Sequence, residues 1–194
     1  MKLGKLLLAI VGATVLLGAL VSSASARNFS VSEQRVTALW TRMNFIGGFG
    51  IVECEVKLSR SFHARTFTKT VNSLIGYITE GTVLRCARGS ATINQASFPW
   101  HLRYRSFAGT LPNITSLSDT VTGAEWRFRD PFDITCTVSS ASSAMILTYS
   151  VSSGTITSAD VSGTSPCGSF TGRIEGTTTN VTNSAGTRIT LTLI

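Results

Sequence analysis

Cationic side chains at two-residue spacing are the groups in this chain best arranged for chemistry. Both histidines sit in His-x-Arg, as His63-Ala-Arg65 and His101-Leu-Arg103. On a strand, residues i and i+2 share one face about 7 Å apart. Brought together across a sheet, the two patterns would form a cluster for phosphate or carboxylate, with an imidazole as acid or base. Arginine also alternates, as Arg103 with Arg105 and Arg127 with Arg129, and guanidinium groups can grip oxyanions bidentately. Consecutive strands often pair, which would gather His101, Arg103, Arg105, Arg127 and Arg129 on one face as an anion site. His101 would then be a pH-sensitive auxiliary. The competing reading is structural: Glu53, Glu55 and Glu125 interleave with these arginines as cross-strand pairs, each worth under about 1 kcal/mol.

Other chemistries lack their residues. Neither histidine continues into the His-x-Ser/Thr of the twin-histidine phosphoesterases, and no G-x-S-x-G nucleophile elbow occurs. Asp119, Asp130, Asp133 and Asp160 do not have the spacing of a metal loop. Glu53 and Glu55 are neighbours on one strand, whereas glycoside hydrolysis needs facing carboxylates. Gly47-Gly48-Phe49-Gly50 does not lead into a helix, as a phosphate loop must. Trp40, Trp100 and Trp126 could make a sugar platform, but alternation turns Trp100 and Trp126 inward. No catalytic residue, metal site, cofactor or nucleic-acid motif is therefore assigned. A hydrolase using His63 or His101 is the enzymatic alternative.

The elements that must carry these residues read as strands. In Phe98-Pro-Trp-His-Leu-Arg-Tyr-Arg-Ser-Phe107, the residues Phe98, Trp100, Leu102 and Tyr104 share one face and His101, Arg103 and Arg105 the other. Thr122–Arg129 repeats the design, with Ala124, Trp126 and Phe128 opposite Glu125, Arg127 and Arg129. Residues 36–46 and 51–58 form a hairpin about Gly47–Gly50, with Val52, Cys54, Val56 and Leu58 facing inward. A helix over 30–43 competes through the capping-box pattern Ser30-x-x-Glu33, and a helix over 66–79 competes with a strand. Leu74–Thr79 and Thr82–Cys86 read as two short strands about a turn at Glu80-Gly81, and Gly109–Asp119 as a turn-rich loop. Alternation recurs in 134–138, 145–151 and 189–193. The expected fold is all-β: a single-domain antiparallel β-sandwich, or a closed β-barrel-like sandwich, of roughly ten to twelve short strands.

Residues 1–26 are expected to be a cleaved signal peptide, with Lys2 and Lys5 before a 16-residue apolar run from Leu6 to Val21, then Ala24-x-Ala26. The domain is then 27–194. Without Lys2 and Lys5 the 17 basic residues become 15 against 10 acidic, so the net charge falls from +7 to +5. That balance permits attraction to an anionic polymer or cell-surface component. Membrane contact is expected only through the precursor's signal segment. Cys54, Cys86, Cys136 and Cys167 are even in number, as in a disulfide framework. Local pairing, Cys54 with Cys86 and Cys136 with Cys167, closes loops of about thirty residues, each worth about 3–4 kcal/mol. Asn28, Asn113 and Asn180 begin N-x-S/T sequons.

With its apolar leader, its four cysteines, Phe98–Phe107 and Gly109-Thr-Leu-Pro-Asn-Ile-Thr115, the chain resembles uncharacterised secreted proteins of high-GC Gram-positive bacteria. The resemblance spans the central half and implies no activity. The expectation is a secreted, extracellular or surface-associated, non-enzymatic binding module. A small outer-membrane β-barrel is the further alternative, although the chain ends in Leu193-Ile194 rather than in an aromatic residue.

Overall fold

The computed structural model describes residues 28–48, 50–110 and 113–194; the expected signal segment lies outside them. The described chain is all-β and antiparallel, in fifteen strands. These are β1 (Asn28–Val31), β2 (Arg35–Gly47), β3 (Gly50–Phe62), β4 (Thr66–Thr68), β5 (Leu74–Ala87), β6 (Ser90–Ile93), β7 (Trp100–Thr110) and β8 (Asn113–Thr122). They continue as β9 (Glu125–Arg129), β10 (Thr135–Ser139), β11 (Met145–Ser152), β12 (Thr155–Cys167), β13 (Phe170–Thr178), β14 (Val181–Thr182) and β15 (Leu191–Leu193). The count exceeds the ten to twelve expected, and several strands are long: β2, β3 and β12 have 13 residues and β5 has 14.

Nine strands share one sheet in the order β13-β12-β11-β8-β7-β5-β3-β2-β14, and β13 also pairs with β2. Eight of them thus close into a ring. The closure is uneven. Only Arg173, Ile174 and Glu175 pair with β2 before β14 takes up its edge at Ala38 and Thr37. Two hydrogen bonds fasten this seam: Trp40 Nε1 donates to the Gly176 carbonyl (3.1 Å) and Thr178 Oγ1 to the Leu39 carbonyl (2.5 Å).

The remaining strands form two three-stranded sheets, β15-β1-β4 and β10-β9-β6. Each sends rings into the core. From β1, Phe29 lies 5.4 Å from Phe67, 5.9 Å from Tyr104 and 5.6 Å from Phe107. From β9, Trp126 lies 5.2 Å from Trp100 and 5.5 Å from Phe45, and Phe128 lies 5.7 Å from Phe45. Aromatic pairs at such spacing add to what burial alone contributes. The inward aromatic faces of the segments around β7 and β9 are as predicted, with Trp100, Leu102, Tyr104, Trp126 and Phe128 all buried.

Both local disulfides form, Cys54–Cys86 and Cys136–Cys167, and such bonds persist in an oxidising compartment. The first joins directly opposed residues of β3 and β5. The second ties β10 of a small sheet to β12 of the ring.

The hairpin expected over 36–46 and 51–58 forms, and 30–43 holds the end of β1 and most of β2 rather than the competing helix. Two readings need correction. Leu74–Ala87 is one strand, and Glu80-Gly81 is no turn. Gly81 pairs with Leu58, and a Cβ there would lie 2.7 Å from Ile93 and 2.8 Å from Leu58; the glycine provides a close approach. Within the span read as a loop, Gly109 and Thr110 end β7, and residues 113–119 belong to β8. Its alternation is interrupted between Ile114 and Leu117, and its inward positions include an aspartate. These features hide it from a two-residue period.

Gly76 shows a harder version of the same packing. A Cβ there would lie 2.5 Å from the Ser61 carbonyl oxygen, a backbone atom, whereas at Gly81 the obstacles are side-chain ends. Gly76→Ala is therefore expected to lower stability by about 1–3 kcal/mol and Gly81→Ala by less. Urea denaturation with the disulfides intact measures both.

Candidate anion-binding site

Strand pairing divides the five expected anion-binding residues between two sheets. Strand β7 pairs with β5 and β8, and β9 pairs with β6 and β10. The expected pairing of their two segments fails because β8, read from sequence as a loop, occupies the place beside β7. No single four-arginine face forms.

On the ring, His101 is half-buried and its imidazole lies 5.4 Å from the Tyr77 ring, which lies 6.3 Å from that of His63. The two His-x-Arg patterns do approach one another, with a phenol between them. Arg103 donates from Nη1 to the Asn72 carbonyl (2.9 Å). Arg105 is exposed in the register shift between Tyr104 and Ser106. Arg65 stands 3.8 Å from Glu33. Among the described residues no carboxylate or serine hydroxyl is hydrogen-bonded to either imidazole, so the row lacks the partner that would orient a general base.

On the small sheet, Arg127 and Arg129 occupy the central strand and point outward, while Trp126 and Phe128 point into the core. Register places Thr92 and Thr137 beside Arg127, and Ser90 and Thr135 beside Arg129. Ser90, Thr92, Arg127, Arg129 and Thr135 line a hollow of about 480 Å³. Arg129 Nε lies 3.1 Å from Asp133 Oδ1, while the Arg127 guanidinium has no acidic partner among the described residues. The glutamates expected to neutralise the arginines are engaged elsewhere. Glu53 pairs with Arg42, Glu55 with Arg85 (2.7 Å), and Glu125 accepts from Asn94 Nδ2 (3.1 Å). Two guanidinium forks amid hydroxyl donors can bind a tetrahedral or planar oxyanion through charge-assisted hydrogen bonds. A second hollow of about 490 Å³ on β2, β3 and β5 is lined by charges of both signs, among them Arg35 and Glu80.

Sequence reasoning missed a polar cluster inside the ring. Arg60 Nη1 donates to Asp119 Oδ2 (2.6 Å), with the two side chains 3% and 0% exposed. The guanidinium also stands 3.8 Å from the Phe62 ring centre and 5.0 Å from that of Tyr149. Burial lowers the Arg60 pKa, but Asp119 and Tyr149 outweigh it and the net shift is upward. Burial raises the Asp119 carboxyl, and Arg60 opposes that rise. Burial also raises Tyr149 and Tyr104, reinforced in both by the Asp119 charge. Among the described residues, Arg60 Nε and Nη2 and Asp119 Oδ1 have no hydrogen-bond partner. The available signal was parity, since Arg60 falls in phase with Leu58 and Phe62, and Asp119 with Leu117 and Val121.

A buried pair of this kind contributes little net stability, yet removing one partner strands the other charge. Asp119→Ala is expected to cost about 3–5 kcal/mol, and an Arg60→Met, Asp119→Leu double variant to recover most of it. A raised carboxyl pKa stabilises the fold below the ordinary value of 3.8, and that contribution is lost as pH rises through the folded-state value. Wild type should therefore fall further below the double variant as pH increases above about 4. Urea denaturation across pH tests both statements.

Compared with protein-family models, with curated proteins and with solved structures, the chain matches none.

Proposed function

We propose that this protein is an exported, disulfide-stapled, non-enzymatic binding module that recognises oxyanions through Arg127 and Arg129. The observation that carries the reading is the Arg127 guanidinium, exposed and without a counter-charge among the described residues, beside Arg129 in a hydroxyl-lined hollow. Export is supported by the signal-like leader in the sequence and by two disulfides. The ligand class is a phosphate, sulfate or carboxylate group, presented singly or along an anionic polymer or cell surface. His101, Arg103 and Arg105 belong to a separate face of the ring and are not assigned to this site.

The outward positions of the ring favour water over lipid. Register aligns Ser106, Ser118, Thr148, Asp160 and Thr177 across five strands. Ser118 and Thr148 share a hydrogen bond (2.9 Å), and Thr177 donates to Asp160. A membrane-spanning barrel instead turns an apolar band outward.

Titration with tripolyphosphate at low ionic strength tests the site. Each of Arg127→Ala and Arg129→Ala is expected to weaken binding at least about tenfold, the loss of one charge-assisted contact. Arg103→Ala with Arg105→Ala should bind as wild type. Equal binding by the Arg127→Ala, Arg129→Ala double variant would remove the assignment.

A further inference from the structure

Resting on the oxyanion reading, we propose that the end of the ring covered by β6, β9 and β10 docks on an anionic lipid surface. Lipid phosphates would sit between Arg127 and Arg129, while Ile51, Phe132 and Phe170 enter the acyl boundary. Three turns converge at this end. A Cβ at Gly50 would lie 2.9 Å from Pro131, and one at Gly48 would lie 3.1 Å from Ile134, so the β2–β3 turn packs on the β9–β10 turn. Cys136–Cys167 then brings the β12–β13 turn to the start of β10. Each turn has a large exposed apolar residue in it or one or two positions past its last residue: Ile51 (50%), Phe132 (66%) and Phe170 (38%). They are three of the six large apolar side chains exposed among the described residues.

Charge selects the occupant. Arg129 leads straight into the turn bearing Phe132, and Arg127 shares its outward face. Arg173 follows Phe170 on β13. Against these stand Asp133, paired with Arg129, and Glu175, 3.1 Å from Arg173. Asp130, in the same turn, is buried and accepts from the Phe132 and Ile134 amides, so at the surface Arg127, Arg129 and Arg173 outnumber Asp133 and Glu175 by one charge. Apolar side chains on separate turns, flanked by guanidinium groups, match a bilayer interface, where acyl chains lie beneath a layer of phosphates. The exposed side chains thus extend the hollow's ligand from a free oxyanion to a headgroup phosphate.

Co-sedimentation with vesicles of phosphatidylcholine alone, and with one quarter phosphatidylglycerol, tests the inference. The protein is taken as a secreting host delivers it, its N-terminus read by mass spectrometry and its fold checked by near-ultraviolet circular dichroism. Wild type should pellet with the anionic vesicles and not with the neutral ones. Phe132→Ser with Phe170→Ser should lower vesicle partitioning at least tenfold and leave tripolyphosphate binding unchanged. Arg127→Ala with Arg129→Ala should lose both. Wild type that binds tripolyphosphate but not anionic vesicles would overturn lipid docking and leave the oxyanion reading standing. Vesicle binding unaffected by the phenylalanine changes would also overturn it. So would self-association, seen by light scattering and abolished by those changes, without vesicle binding. An arginine double variant that still binds tripolyphosphate would instead remove the underlying site.

Discussion

Closing a sheet on itself leaves two open ends, and an apolar lumen must be sealed from water at both. That constraint organises the rest of this molecule. Inward side chains of eight strands fill the ring, and the two three-stranded sheets supply the aromatic rings that finish its ends. Phe29 anchors one cap and Trp126 the other. The seam between β13 and β2 has the shortest run of paired residues in the ring, and it is where Trp40 and Thr178 donate to carbonyls across the gap. A cap held by short strands gains little from backbone hydrogen bonds alone. Tying β10 to β12 by Cys136–Cys167 limits how far that cap can open.

The same constraint makes the buried Arg60–Asp119 pair costly. A lumen sealed at both ends is a low-dielectric space, where desolvation of two charges rivals their attraction. Phe62 and Tyr149 flank the guanidinium and return part of that cost through cation–π contact. The pair lies on β3 and β8, which are not neighbours in the ring. It therefore bridges the lumen rather than reinforcing a ladder. An arginine that must meet one aspartate across the barrel also discriminates against slipped registers, because a shift of one residue would turn either charge outward.

Alternation made the all-β class, the inward aromatic faces and the local disulfides legible from the chain alone. A two-residue period reports directly which side chains are buried, and pairing each cysteine with its neighbour in sequence closes two loops of about thirty residues. Strand pairing was not legible. Gly109–Asp119 contains turn-forming residues and ends on a buried aspartate, so it read as a loop, and the strand beside β7 was misassigned as a result. Glu80-Gly81 misled in the same way, because a glycine needed for close packing looks like one needed for a turn. The arginines of the candidate site were correctly placed outward, yet their grouping depended on pairing. Five residues read as one site therefore lie on two sheets.

The location of the basic hollow follows from the capping role of its sheet. A strand that seals a barrel end spends one face on the core: Trp126 and Phe128 face inward, so Arg127 and Arg129 necessarily face away from the lumen. Flanking strands bring serine and threonine to the same side, because β6 and β10 also direct their apolar residues inward. The hollow is thus the outer surface of a structural plug, held by buried aromatic rings on one side and a disulfide at its edge. Binding surfaces built on such a support lose little conformational entropy when a ligand arrives. Rigidity needed to close the ring serves the guanidinium pair as well.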